Sequence, residues 1–173
     1  MAKISYVERD NAPEDIKSIY DNLEKQFGVV PNVLKAMANS PQLFKGFMPF
    51  LGAVLGDTKV SKDLKELAIV TATKLCGCSY CTAHHTGAGK KAGLSQEQID
   101  AAPDYNNPVF NDKEKAVVRF ASELTQNVAA SDESLNELRN HFDEEQIAVL
   151  NMVVGAFNVL PRFADTFKVE LEQ

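Results

Sequence analysis

Apolar side chains recur along this chain at the three-to-four-residue spacing of an α-helix, and almost nowhere at the two-residue spacing of a strand. Ile16, Ile19, Tyr20 and Leu23 mark one such face. Val117, Val118, Ala121 and Leu124 mark a second, and Ile147, Leu150 and Val154 a third. The β-branched runs fall inside these helical patterns, so they supply no strand. Start signals agree with the spacing. Ser95 with Gln98, Asn111 with Glu114 and Asp143 with Gln146 have the capping-box spacing, in which each side chain reaches the other residue's backbone N–H. Pro13, Pro31 and Pro41 suit first helical turns, where a missing N–H costs nothing. The expectation is an all-α fold of roughly eight helices in a single domain, residues 1–173, with the longest loop near residues 102–111.

A chain of 173 residues is long enough to bury a substantial core. Its net charge of −6, with no cluster of Lys or Arg, argues against nucleic acid or an anionic membrane as the partner. The opening stretch MAKISYVERDNAPED lacks the apolar region of a secretory signal, and no uninterrupted apolar run approaches a bilayer-spanning length. A cytoplasmic location is therefore expected. Three cysteines confined to residues 76–81 cannot staple distant parts of a fold. In a cytoplasmic chain they signify redox chemistry, a metal, or chance.

The chemistry gathers around those cysteines. Residues 62–75 have the pattern of a helix that follows Ser61 and stops near Cys76-Gly77, glycine being the usual residue just past a helix end. A second helix starts near Cys78 or Ser79 and stops at Gly93. At about 100° per residue, Cys78, Cys81 and His85 share one narrow face of it, whereas His84 lies about 120° from Cys78 and is the poorer partner. A thiol in the first turn meets free backbone N–H groups and the positive end of the helix dipole, which favour the thiolate. Glu66 would lie about 18 Å from Cys78 along one continuous helix. Folded back at Gly77, the two helices instead bring Glu66 and His85 to comparable heights, in reach of each other.

Each of these residues also has an ordinary structural reading. Glu66 near a helix start can be a dipole partner, His85 a satisfied core histidine, and the cysteines inert core residues. Zinc is the strongest rival, with Cys76, Cys78, Cys81 and His85 as four soft ligands. Zinc sites, however, draw ligand pairs from separated segments, and a ten-residue span on one helix axis makes tetrahedral closure awkward. Cys76 is expected as a core or helix-end residue. The place of Tyr80, as site wall or surface aromatic, is left open by the pattern.

The spacing E-x11-C-x2-C-x3-H, set by Glu66, Cys78, Cys81 and His85, resembles the alkylhydroperoxidase AhpD family within the carboxymuconolactone decarboxylase-like superfamily. Pro31-Asn32-Val33, Ala38-Asn39-Ser40-Pro41, Phe120-Ala121 with Leu124-Thr125, and Asn158 with Arg162-Phe163-Ala164-Asp165 resemble its peroxidase-related branch, so the likeness covers most of the chain. The resemblance implies an all-helical fold, assembly as a homotrimer or hexamer, and reduction of hydroperoxides by the cysteine pair. It gives Cys81 the attack on peroxide, Cys78 the resolving step, and Glu66 with His85 the proton relay. It also implies an external dithiol reductant, a thioredoxin-like or lipoyl protein, and no cofactor or metal. One departure stands out: Tyr80 occupies the place of a second family histidine between the cysteines. Two alternatives stand beside the peroxidase reading. One is a protein disulfide reductase or redox relay, the other a non-enzymatic redox-sensing or zinc-binding oligomer. Phe44, Phe47, Met48 and Phe50, crowded in one stretch, add a residue-level reason to expect an oligomer.

Overall fold

The structure, a computed structural model, describes residues 1–172. A short 3-10 turn at Arg9–Asn11 leads into nine α-helices: α1 Glu14–Phe27, α2 Asn32–Met37, α3 Pro41–Leu55, α4 Lys62–Leu75, α5 Ser79–Ala92, α6 Gln96–Ala101, α7 Asp112–Asn127, α8 Asp132–Arg139 and α9 Glu144–Thr166. No strand occurs among the described residues. The all-α expectation holds, with nine α-helices among the described residues where roughly eight were expected; α2 and α6 are six residues each, too short to show a clear apolar period.

Helix α4 forms the axis of the fold and packs against α5, α7 and α9. Its run from Leu67 to Thr73 is buried on every side, the mark of a core helix rather than an amphipathic surface one. Thr71 Oγ1 donates to Leu67 O and Thr73 Oγ1 to Val70 O, so neither buried hydroxyl is left without a partner. Two lysines of α4 close the ends of neighbouring helices. Lys65 Nζ donates to Val54 O and Gly56 O at the end of α3, and Lys74 Nζ to Ile99 O and Ala102 O at the end of α6. Burial lowers the pKa of both ammonium groups, and the carbonyls give them the partners that a buried cation requires.

All three capping boxes form, at Ser95, Asn111 and Asp143, each with reciprocal bonds to Gln98, Glu114 and Gln146. Pro41 is the first residue of α3, while Pro13 and Pro31 sit one position earlier, as the caps of α1 and α2. Helix α9 is long and apolar enough to cross a membrane by length and composition; half of that stretch is buried, and the helix packs on α3, α4 and α7. Phe44 points inward, edge-on to Tyr20, and Phe47, Met48 and Phe50 pack partly buried on the core. These four side chains are thus largely absorbed by the core, leaving Leu43 as the strongly exposed apolar side chain of α3.

Candidate active site

The site is built on the turn that joins α4 to α5. Gly77 adopts a left-handed conformation, φ +72°, which only glycine takes without strain. Gly77 N–H bonds to Lys74 O and Cys78 N–H to Thr73 O, the paired bonds of a Schellman helix end. Cys78 therefore closes α4 and at once opens α5, where its extended backbone makes it the N-cap. Its Sγ accepts the Cys81 backbone N–H at 3.3 Å and lies 2.8 Å from Cys81 Sγ. The two thiols are free, buried, and already in mutual contact.

That contact makes them unequal. Cys78, hydrogen-bonded by the Cys81 thiol and by backbone N–H groups of the first turn, has its pKa lowered to about 7 against the pull of burial. Cys81, which gives its proton to that bond and is buried as well, is pushed far up. Both directions favour Cys78 as the thiol that ionises first. The geometric asymmetry is the Cys81 backbone N–H aimed at Cys78 Sγ, which favours charge on Cys78, whereas the family resemblance implies attack by Cys81.

The helical hairpin brings Glu66 and His85 together as expected. His85 Nδ1 lies 2.7 Å from Glu66 Oε2, with both side chains largely shielded from solvent. A carboxylate at Nδ1 holds the proton there and leaves Nε2 as the basic nitrogen. The imidazole is wedged edge-on against Phe157 of α9, ring centroids 4.5 Å apart. One turn on, Gly89 permits the close approach: a Cβ there would stand 3.1 Å from Leu94 Cδ1 and 3.8 Å from Glu66 Cβ. His85 follows Cys81 by four residues, so the two share a face of α5.

Tyr80, left open by the sequence, is an inner wall. It is buried, its hydroxyl donates to Glu172 Oε1 at 2.9 Å and accepts the Val33 N–H at 3.2 Å, and burial drives its pKa up. His84 meets a different group, with Nε2 2.7 Å from Glu172 Oε2. Cys76 ends α4 half-buried, its Sγ 3.7 Å from Asn158 Oδ1 and its pKa raised by burial. Among the described residues no group of three or more His, Cys, Asp or Glu side chains converges as a metal site. Sequence reasoning missed Glu172 and Phe157. No spacing rule ties the last residues of the chain to Tyr80, and Phe157 is one of many apolar residues in α9.

Residues 41–123, which run from α3 through the hairpin into α7, match the model of the carboxymuconolactone decarboxylase family. A curated relative, the uncharacterized protein YdfG of Bacillus subtilis (strain 168), is 24% identical over 104 residues, 58% of this chain and 71% of that protein. Among solved structures, an alkylhydroperoxidase AhpD core, an uncharacterized peroxidase-related protein from Ralstonia eutropha JMP134, superposes with a TM-score of 0.89 at 22% identity, covering 99% of this chain and 93% of that one. The debrominase Bmp8, in complex with 2,3,4-tribromopyrrole, superposes with a TM-score of 0.85 at 19% identity, covering 98% and 91%. These likenesses establish the AhpD-like helical fold for the chain.

Proposed function

We propose that this protein is an oxidoreductase that reduces hydroperoxides with the Cys78–Cys81 pair and is reset by an external dithiol. One observation carries the reading: two reduced thiols 2.8 Å apart at a helix start, on the same face as a histidine held by a carboxylate. The thiolate at Cys78 attacks the terminal oxygen of R–O–O–H, which becomes the oxygen of a sulfenic acid as the O–O bond breaks. The departing alkoxide takes a proton from His85, which recovers one from solvent with Glu66 stabilising its charged form. Cys81 then attacks the sulfenic acid, releasing water and leaving a Cys78–Cys81 disulfide. A dithiol, the thioredoxin-like or lipoyl protein expected from the family, reduces that disulfide and is itself oxidised.

Such a pair needs a reducing compartment, so the reading includes a cytoplasmic location. It also includes assembly as a homotrimer or hexamer, supported by exposed apolar side chains on the adjacent helices α3 and α9: Leu43, Met152 and Val159.

The test is consumption of an alkyl hydroperoxide with dithiothreitol as reductant, in wild type and two variants. Cys78→Ser should abolish turnover and form no sulfenic acid. Cys81→Ser should consume one equivalent and leave a sulfenic acid trappable at Cys78. Sulfenic acid found at Cys81 in Cys78→Ser would return the attack to Cys81. No consumption by wild type, with reduction of protein disulfides or of 2,3,4-tribromopyrrole instead, would replace hydroperoxide as the substrate.

A further inference from the structure

Cys78 is 1% exposed and Cys81 5%, yet a pair of the proposed kind must exchange with a dithiol from outside. Part of the cover has to give way. The helices around the pair are joined by apolar seams that a local motion would not open cheaply. The tail after Val169 is held differently, by polar contacts, and these converge on the redox helix. Glu172 Oε1 accepts the Asn32 N–H at 2.5 Å and the Tyr80 O–H at 2.9 Å, and Oε2 lies 2.7 Å from His84 Nε2. Asn32 Nδ2 donates back to Glu170 O at 3.0 Å. Burial works against the Glu172 charge, but the Asn32 N–H, the Tyr80 hydroxyl and His84 outweigh it and hold the carboxyl below its usual range.

We infer that residues 170–172 form a latch over the redox pair, with Glu172 as its pin. Glu172 is a positioning residue. Through Tyr80, which stands between the cysteines in the chain, and His84 one turn later, it holds the first turn of α5 closed against outside thiols. Behind the pin, Val169 is buried, its N–H bonds Ala164 O and the Glu170 N–H bonds the Tyr6 hydroxyl, so the tail is anchored at its base and held beyond it by polar contacts alone. A cleft of about 590 Å³, bordered by Tyr6, Val29 and Lys35 on one side and by Glu170, Leu171 and Glu172 on the other, gives the released tail room to move. The latch takes its purpose from the proposed dithiol exchange.

Its test uses neither peroxide nor turnover, so a protein inactive toward peroxide would leave it decisive. The reduced protein is pulsed with iodoacetamide, and alkylation is resolved at each cysteine by fragmentation mass spectrometry. Cys76, half-buried and outside the latch, is the internal standard. Glu172→Ala should speed labelling of Cys78 and Cys81 roughly tenfold relative to Cys76, the scale of losing charge-assisted hydrogen bonds from a local opening equilibrium. Glu172→Gln, which keeps an oxygen acceptor for Asn32 and Tyr80, should restore most of the protection. Tyr80→Phe, which cuts the same link from the other end, should expose the pair as Glu172→Ala does. Equal labelling rates in wild type and both disrupting variants would overturn the latch. So would equal acceleration of all three cysteines with a lowered Tm, which would mark general loosening of the fold.

Discussion

Two adjacent histidines on α5 each meet a carboxylate at 2.7 Å, and the two pairs differ in nearly everything else. His85 faces Glu66, nineteen residues upstream on the neighbouring helix, inside a hairpin fixed by the Gly77 turn and the Gly89 approach. His84 faces Glu172 at the far end of the chain, on a segment without regular structure. The first pair is clamped between α4 and α9, with Phe157 against the ring. The second has its ring over Tyr80, centroids 4.6 Å apart, and hangs on the tail's polar contacts. Identical residue types on neighbouring positions thus sit on different supports: the rigid one suits the proposed proton transfer, the releasable one the proposed control of access.

The sharpest way to break this comparison is to remove the charge from each carboxylate in turn. Glu66→Gln preserves size and helix propensity but takes away the group that orients and stabilises His85. Peroxide reduction should fall by roughly the 10²-fold typical of a lost general acid/base, with little change in Tm. Glu172→Gln should cost much less in the same assay. Wild-type turnover in Glu66→Gln, or an equal loss in both variants, would erase the distinction between relay and latch.

A smaller effect separates the two thiols. With its pKa lowered to about 7, Cys78 is mostly thiolate above that pH and loses about tenfold of its reactive form for each unit below it. The first-turnover rate with peroxide should therefore rise with pH up to about 7 and then level off. An attack by Cys81, whose proton is held more tightly than that of an ordinary thiol, would instead show a rate still climbing in the alkaline range.

The pairing of Glu66 with His85 was legible in the sequence because its geometry is local. A glycine at a helix end, a capping position and an i,i+4 pair are short-range rules, and together they place Glu66, Cys78, Cys81 and His85 before any tertiary contact is known. The capping boxes at Ser95, Asn111 and Asp143 formed for the same reason. What the pattern could not show was how the two cysteines divide their charge, which depends on the 2.8 Å contact between sulfurs and on a backbone N–H aimed at one of them. Nor could it show Glu172, whose bond to Tyr80 spans ninety-two residues and leaves no periodic trace. Tyr80 was undecided for the same reason, its partners being Val33 and Glu172, both distant in sequence.

On the proposed function, Cys78 and Cys81 form one two-electron reductant. Its most direct test is mass spectrometry of the reduced protein after one equivalent of an alkyl hydroperoxide. The intact protein should lose two hydrogens, with fragmentation placing a disulfide between Cys78 and Cys81 and leaving Cys76 free. An unchanged mass, or a disulfide that includes Cys76, would contradict it.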